Sequence, residues 1–324
     1  MFSPNEVSQL ITVGISEDGN LSHIESLQPG GVVLMGRNAA APAELRRFTR
    51  RIREVCAQAP IISVDQEGGR VQRLKDGFTL IPPMAELAGK GSGAVNLMAM
   101  NVAAELRAVG INTNFAPVCD VPVHPEDTVI GNRAFSSDPI IAGLMAAEYI
   151  RGAGTNILTC AKHFPGHGGV GVDSHLGLPT FNGTLGELES VHLAPFRAAI
   201  AAGVGAMMVG HLSVPCLDDS GTPATLSHPI VTGLLRDKLN FRGLVVTDDL
   251  EMGALEQFGA GEIAVQSITA GCDMLLFCLS PEKAFAARDA IIEAVNSGVL
   301  SEARVRDSIQ RVQWAKRKYG IITA

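Results

Sequence analysis

Seven short hydrophobic runs, each followed by a helical pattern, are the feature that most constrains the fold of this chain. The runs are almost continuously apolar and cover residues 31–35, 61–64, 113–118, 157–161, 206–209, 244–247 and 274–278. Strands that are covered on both faces have this pattern, whereas half-exposed strands alternate. Helical patterns follow the runs at about residues 42–58, 94–109, 138–153, 185–202, 226–239, 260–270 and 282–297, and a last one covers 302–318. The alternation predicts parallel strands connected by helices.

Polar residues at the ends of the runs favour a closed barrel over an open, doubly wound sheet. Six runs end in, or are followed by, polar side chains: Arg37, Asn38, Asp65, Glu67, Asp120, Lys162, His163, His211, Asp248 and Asp249. In a parallel (β/α)8 barrel the carboxyl ends of all strands share one face, and active sites lie there. With no linker or internal repeat in the sequence, we predict a single-domain TIM-like (β/α)8 barrel over residues 1–324, with the doubly wound sheet as the alternative.

Charge and composition limit the partners that the chain can have. Its 33 acidic and 26 basic residues give a net charge of −7, which provides no electrostatic reason to bind nucleic acid or an anionic membrane. The amino terminus has no signal-peptide pattern, and no apolar stretch reaches the roughly 18 residues that span a bilayer. The six cysteines are scattered and form no C-x-x-C pair, as is typical of reduced thiols. We expect a cytoplasmic monomer that binds neither nucleic acid nor membrane.

The densest group of chemically active side chains lies in residues 162–179, KHFPGHGGVGVDSHLGLP. Pro165 and the glycines prevent a helix, so this segment is predicted to be a loop. His163 and His167 are four residues apart, which on a helix would indicate a metal pair, but the intervening Phe-Pro-Gly removes most of that support. A metal-dependent hydrolase that uses these two histidines with Asp173 and His175 remains an alternative, and no metal is expected.

Two further patterns point to acid–base or nucleophilic chemistry. In an extended segment Asp173 and His175 point to the same side, so the carboxylate can fix the imidazole tautomer while the other ring nitrogen moves a proton near neutral pH. Asp248 and Asp249 end a buried strand and point to opposite faces, so that one can enter the barrel mouth. Periodicity alone does not choose between them. Likewise, residues 65–73 are either a polar turn or a ligand clamp.

Five motifs together resemble glycoside hydrolase family 3, most closely its single-domain β-N-acetylhexosaminidases. They are VDQEGGRVQR (64–73), VIGNRAF (129–135), KHFPGHG (162–168), DSHLGLP (173–179) and VVTDDLEM (245–252), and the resemblance covers roughly residues 5–320. It implies a retaining glycosidase on a (β/α)8-like barrel. Asp248 would be the nucleophile, and His175 the general acid/base with Asp173 as its partner. The implied substrate-binding residues are Asp65, Arg73, Arg133, Lys162, His163 and, more weakly, His211.

The resemblance also implies a substrate and leaves rivals open. It suggests removal of terminal N-acetylglucosamine from cell-wall muropeptide fragments without a cofactor. Trp314, Tyr149 and Tyr319 fall in predicted outer helices, and a site without aromatic platforms favours one terminal sugar and exo-action. The rivals are a β-N-acetylglucosaminide or β-glucoside phosphorylase that uses the same site with phosphate as acceptor, and a sugar-binding barrel without catalysis.

Overall fold

Eight parallel strands close into a barrel in the computed structural model, which describes residues 2–123, 129–170 and 177–323. Around the barrel the strands run in chain order, and the last pairs with the first. Their bounds are Ile11–Gly14 (β1), Gly31–Leu34 (β2), Ile61–Val64 (β3), Thr113–Asn114 (β6), Leu158–Phe164 (β7), Ala206–Val209 (β8), Leu244–Asp249 (β9) and Met274–Phe277 (β10). The predicted barrel is therefore confirmed, and the open sheet is wrong. That residues 1–324 form one domain stays a prediction.

The strand that closes the barrel, β1, is absent from the predicted set. Its four residues are all buried, and its register with β10 pairs Val13 with Phe277. Gly14 ends the run because the carbonyl oxygen of Cys278 lies 2.1 Å from where a Cβ would be. Closure of the barrel therefore needs a glycine at position 14. That glycine shortens the apolar run by which the sequence would have indicated a strand.

A two-stranded hairpin follows β3 and was not predicted either. Its strands are Gln66–Gly68 (β4) and Val71–Gln72 (β5), which pair antiparallel. The Gln66 side chain accepts from the amide of Leu74 at 3.0 Å and donates to its carbonyl at 2.8 Å. The hairpin carries Glu67, whose Oε1 lies 2.6 Å from Nζ of Lys162 in β7.

All eight predicted helical regions are helical. The α-helices are Pro4–Ser8 (α1), Ser22–Leu27 (α2), Pro42–Val55 (α3), Met84–Gly89 (α4), Ser92–Ala108 (α5), Pro139–Ala153 (α6), Leu185–Glu187 (α7), Leu193–Ala201 (α8), Ala260–Ala270 (α9), Pro281–Asn296 (α10) and Glu302–Lys318 (α11). Leu188–His192, which joins α7 to α8, and Pro229–Lys238 are π-helical. In the part of the chain described, none of the helices combines the length and apolar character needed to cross a membrane.

The amino-terminal end of the barrel is held by one buried carboxylate. Asp273, which directly precedes β10, is fully buried and accepts a 2.9 Å hydrogen bond from the amide of Val245 in β9. The side chains of Arg236, Arg304 and Arg311 surround it, the last two from α11. Burial alone would raise the pKa of Asp273, but the three guanidinium charges outweigh burial and lower it. This cluster joins the last two strands to the last helix.

Replacing Asp273 with asparagine is expected to lower the free energy of unfolding by roughly 3–5 kcal/mol, because the buried guanidinium groups lose their counter-charge. Asp289→Asn is the matched control, since that carboxylate is 63% exposed beside Arg288 and an exposed pair contributes at most about 1 kcal/mol. Urea unfolding at pH 7 measures both variants. Equal, small losses would show that the cluster contributes little to stability.

Candidate active site

A cavity of about 210 Å³ lies at the carboxyl ends of the barrel strands. Among the residues that the structure describes, its charged and imidazole lining consists of Asp65, Glu67, Arg73, Arg133, Lys162, His163, His167, Asp248 and Asp249. The structure thus brings together six of the nine site residues that the resemblance implies, although Asp65 and Asp248 are 183 positions apart in the sequence. Since β3, β7 and β9 end at the same rim, the barrel accounts for the meeting of Asp65, Lys162, His163 and Asp248.

Lys162 is the centre of the polar wall. Its Nζ lies 2.7 Å from Oδ1 of Asp65 and 2.6 Å from Oε1 of Glu67, and its side chain is only 3% exposed. Burial by itself would lower the pKa of Lys162, but the two carboxylates outweigh burial and raise it. The ammonium is therefore charged and fixed in place, with at most one N–H left for a ligand.

Glu67 is a site residue that the sequence analysis did not assign. Its carboxylate accepts two 2.8 Å hydrogen bonds from Nε and Nη2 of Arg133, in addition to the bond with Lys162. Burial would raise the pKa of Glu67, but the charges of Lys162 and Arg133 lower it to about 2. The available signal was its spacing from Asp65, because residues i and i+2 of an extended segment point to the same side.

Arg73 and Asp65 keep hydrogen-bonding capacity toward the cavity. Nη2 of Arg73 is 3.4 Å from Oδ2 of Asp65, a long contact, and its side chain is 32% exposed. The Nε of Arg73 is buried and has no hydrogen-bond acceptor among the residues described. Arg133, in contrast, uses Nη1 to hold the carbonyl of Val129 at 3.0 Å. Of these two arginines, Arg73 is the one that is better placed to bind hydroxyl groups of a ligand.

His163 is oriented by Asp120, which the sequence analysis noted at a strand end but did not assign to the site. Oδ2 of Asp120 lies 2.7 Å from the ring Nδ1 of His163 and also accepts its backbone N–H at 3.1 Å. The other oxygen accepts the backbone N–H of His167 at 2.6 Å. Because a carboxylate only accepts, Nδ1 carries the proton. Burial raises the pKa of Asp120, and the imidazole charges of His163 and His167 outweigh burial and lower it.

Asp248 and Asp249 differ in what surrounds their carboxylates. Oδ1 of Asp248 accepts the N–H of Asp249 at 2.8 Å. Burial alone would raise the pKa of Asp248, but the interactions with His163, the N–H of Asp249 and the charge of Lys162 outweigh burial and lower it. Oδ1 of Asp249 instead accepts the backbone N–H groups of Glu251 and Cys278, both at 3.2 Å, and burial raises its pKa to about 6. Asp248 is therefore the more readily ionised of the two.

His211 follows β8 but does not line the cavity. It is fully buried, with Nδ1 2.7 Å from Oγ1 of Thr225 and Nε2 2.9 Å from the carbonyl oxygen of Asp249. Its predicted contact with substrate stays a prediction, and in the structure its ring contacts Thr225 and the main chain of Asp249.

Asp173 and His175 lie outside the described residues, so their roles stay predictions. β7, which precedes them in the chain, ends just after Lys162 and His163, and both of these side chains line the cavity. Within residues 2–123, 129–170 and 177–323, no group of three or more His, Cys, Asp or Glu side chains is arranged to hold a metal ion. The metal-dependent alternative thus gains no support from the described part of the chain.

Comparison with known proteins gives consistent matches. The family model of the glycosyl hydrolase family 3 N terminal domain matches residues 4–315. A beta-hexosaminidase of Tolumonas auensis is 41% identical over 293 residues, 89% of this chain and 85% of the relative.

Solved structures agree with these sequence matches. A glycoside hydrolase family 3 beta-N-acetylglucosaminidase from Paenibacillus sp. superposes with a TM-score of 0.96 at 37% identity, covering 100% of this chain and 64% of the longer one. A beta-glucoside phosphorylase superposes with a TM-score of 0.89 at 27% identity, covering 99% of this chain and 58% of that one. With the barrel and the cavity already described, these matches show that the chain is a glycoside hydrolase and belongs to family 3.

Proposed function

We propose that this chain is a retaining exo-β-N-acetylhexosaminidase that hydrolyses terminal N-acetylglucosamine from larger molecules. The observation that carries the proposal is that the Asp248 carboxylate, whose pKa is lowered, lines the same cavity as the hydrogen-bonding groups of Asp65, Arg73 and Lys162. The cavity of about 210 Å³ is smaller than the roughly 300–1,000 Å³ typical of drug-sized ligands, which suits a single sugar ring. The proposed enzyme acts as a cytoplasmic monomer without a cofactor.

The proposed nucleophile is Asp248. Its carboxylate would stabilise the positive charge that develops at the anomeric carbon and then form a covalent ester with that carbon as the bond to the leaving oxygen breaks. Oδ1 is held by the N–H of Asp249 at 2.8 Å, and Oδ2, which has no hydrogen bond to the residues that the structure describes, would be the attacking atom. A pKa below its ordinary value keeps the nucleophile anionic across the physiological range.

The proposed general acid/base is His175, with Asp173 as its partner. The imidazolium would give its proton to the departing oxygen in the first step. The neutral imidazole would then take a proton from water as that water attacks the anomeric carbon, which regenerates free Asp248. An imidazole titrates near neutral pH, so it needs less adjustment of its pKa than a carboxyl group in the same role.

The cavity wall favours one terminal sugar over an extended chain. Asp65, Arg73, Lys162 and His163 supply charged hydrogen-bonding groups, which suit sugar hydroxyls. Tyr149 lies in α6 and Trp314 in α11, as predicted, and neither belongs to the lining. Phe115 is the one Phe, Tyr or Trp side chain in the described lining. The wall therefore offers no series of rings on which successive sugars could stack, and exo-action is the favoured mode.

The relatives support the N-acetyl sugar, since those named above are a beta-hexosaminidase and a beta-N-acetylglucosaminidase. Cell-wall muropeptide fragments are the proposed natural source, on the strength of the motif resemblance. Phosphorolysis is the second candidate, because a structural neighbour is a phosphorylase and a histidine acid/base repels phosphate less than a carboxylate does.

A panel of nitrophenyl glycosides tests the reaction and the sugar together. The enzyme is expected to release nitrophenol faster from the N-acetyl-β-glucosaminide than from the β-glucoside, and to yield free sugar with or without phosphate. If sugar 1-phosphate forms when phosphate is present, the enzyme is a phosphorylase and the proposed hydrolysis is wrong. Faster release from the β-glucoside would contradict the proposed substrate.

The two proposed catalytic residues are distinguished by azide rescue of alanine variants. Asp248→Ala is expected to lose roughly 10⁴-fold or more in kcat/KM. Azide would then enter from the face that the carboxylate occupied and give the α-glycosyl azide. His175→Ala is expected to lose about 10²–10⁴-fold on poor leaving groups and less on activated ones. Its azide product would be the β-glycosyl azide, because azide attacks the glycosyl–Asp248 ester from the opposite face.

Asp249→Asn is the matched control for Asp248→Ala, since the amide oxygen can still accept from the backbone at Glu251 and Cys278. It is expected to retain most of the wild-type activity. An inactive Asp249→Asn beside an active Asp248→Ala would transfer the nucleophile role to Asp249.

A further inference from the structure

We propose that His211 is a positioning residue for the nucleophile, that it acts through the main chain of Asp249, and that it does not contact the sugar. This inference rests on the proposed function of Asp248. Two hydrogen bonds carry it: Nε2 of His211 to the carbonyl oxygen of Asp249 at 2.9 Å, and the N–H of Asp249 to Oδ1 of Asp248 at 2.8 Å. The carbonyl group and the N–H group of Asp249 thus connect the imidazole of His211 to the carboxylate of Asp248 through two hydrogen bonds.

The position of His211 supports an indirect role. It lies just after β8, the strand next to β9, and the register of this pair places Val209 opposite Thr247, immediately before the nucleophile. The side chain is fully buried and does not belong to the cavity lining. A sugar in the cavity would therefore meet Asp248 and not the imidazole behind it.

The hydrogen-bond partners of His211 define which nitrogen carries a proton. A carbonyl oxygen only accepts, so Nε2 must donate to Asp249. Nδ1 faces the hydroxyl of Thr225 at 2.7 Å, and that hydroxyl also lies 3.0 Å from the carbonyl oxygen of Gly210. The hydroxyl has one proton, which a neutral His211 with its own proton on Nε2 accepts at Nδ1. Burial lowers the pKa of His211, and the nearby charge of Asp248 only partly offsets that effect. A neutral ring with its proton on Nε2 fits both contacts, so another uncharged donor of similar reach should replace it.

The opposite side of the nucleophile strand is anchored independently. The carboxylate of Asp249 accepts the N–H of Cys278 at 3.2 Å, and that of Glu251 accepts the N–H groups of Leu279 at 2.6 Å and Ser280 at 3.2 Å. These contacts fix the chain after β9 against the chain after β10. On the side of β8, the side chain of His211 makes the corresponding contact with the carbonyl oxygen of Asp249. The chain at Asp248 is thus held from both strands that neighbour β9.

Two substitutions separate positioning from sugar contact. His211→Phe fills the same space without a donor, and it is expected to lower kcat/KM by about 10²-fold, as a misplacement of about 1 Å can do. The inhibition constant of free N-acetylglucosamine should stay within a few-fold of wild type, because no sugar contact is lost. His211→Gln keeps an N–H for the carbonyl of Asp249 and should retain most of the kcat/KM. His228→Phe, at an exposed histidine, is the matched control and should change neither value.

Thr225→Val provides a second route if His211→Phe does not fold, as judged by its circular dichroism and thermal unfolding. It keeps the imidazole but removes the hydroxyl that faces Nδ1, and it should lower kcat/KM less than His211→Phe, again with unchanged inhibition by N-acetylglucosamine. Weaker inhibition in folded His211 or Thr225 variants would overturn the proposal in favour of sugar contact. If folded His211→Phe has the kcat/KM of the wild type, His211 has only a structural role. Where that variant does not fold, an unchanged kcat/KM of Thr225→Val gives the same conclusion.

The proposed function can fail separately from this inference. The variants are assayed on whichever nitrophenyl glycoside the wild type cleaves. A wild type that cleaves only another sugar would contradict the proposed substrate but leave the comparison intact, with that sugar as the inhibitor. A wild type that cleaves none would overturn both proposals.

Discussion

Closure of eight parallel strands is the constraint on which the rest of the structure depends. In a closed parallel barrel every strand delivers its last residue to one rim, so Asp65, Lys162 and Asp248 meet although they lie far apart in the chain. The closure itself requires close approach of backbones, as at Gly14 against Cys278. β1 joins β2 to β10, so without it the strands that carry the lining residues Val33 and Leu276 would not be connected through the sheet.

The second requirement is that the charges at this rim be compensated. A buried ion is costly unless it is paired and hydrogen-bonded. Lys162 meets this condition with Asp65 and Glu67, Arg133 with Glu67, and His163 with Asp120. The resulting groups are fixed before a ligand arrives, which is the arrangement that stabilises a developing charge without reorganisation. The charged groups of this rim also lower the pKa of Asp248, whereas burial raises the pKa of Asp249.

The sequence predicted the parts of this protein that depend on local pattern. Continuous apolar runs located seven of the barrel strands, and amphipathic patterns located the long helices. The pattern missed β1, whose signal is shortened by the glycine that closure requires, and the hairpin at Gln66–Gly68. It also missed how Glu67 and Asp120 pair with Lys162 and His163, and it could not choose between Asp248 and Asp249. Those features depend on partners from other strands, which no local pattern contains.

Mechanism-based trapping tests the central claim most directly, namely that the carboxylate at position 248 attacks the sugar. A 5-fluorinated N-acetylglucosaminyl fluoride slows breakdown of the covalent intermediate, so the labelled residue can be mapped by proteolysis and mass spectrometry. The account predicts one sugar per chain, attached to Asp248. A label on Asp249, or no covalent adduct from an enzyme that turns over the unfluorinated sugar, would contradict it.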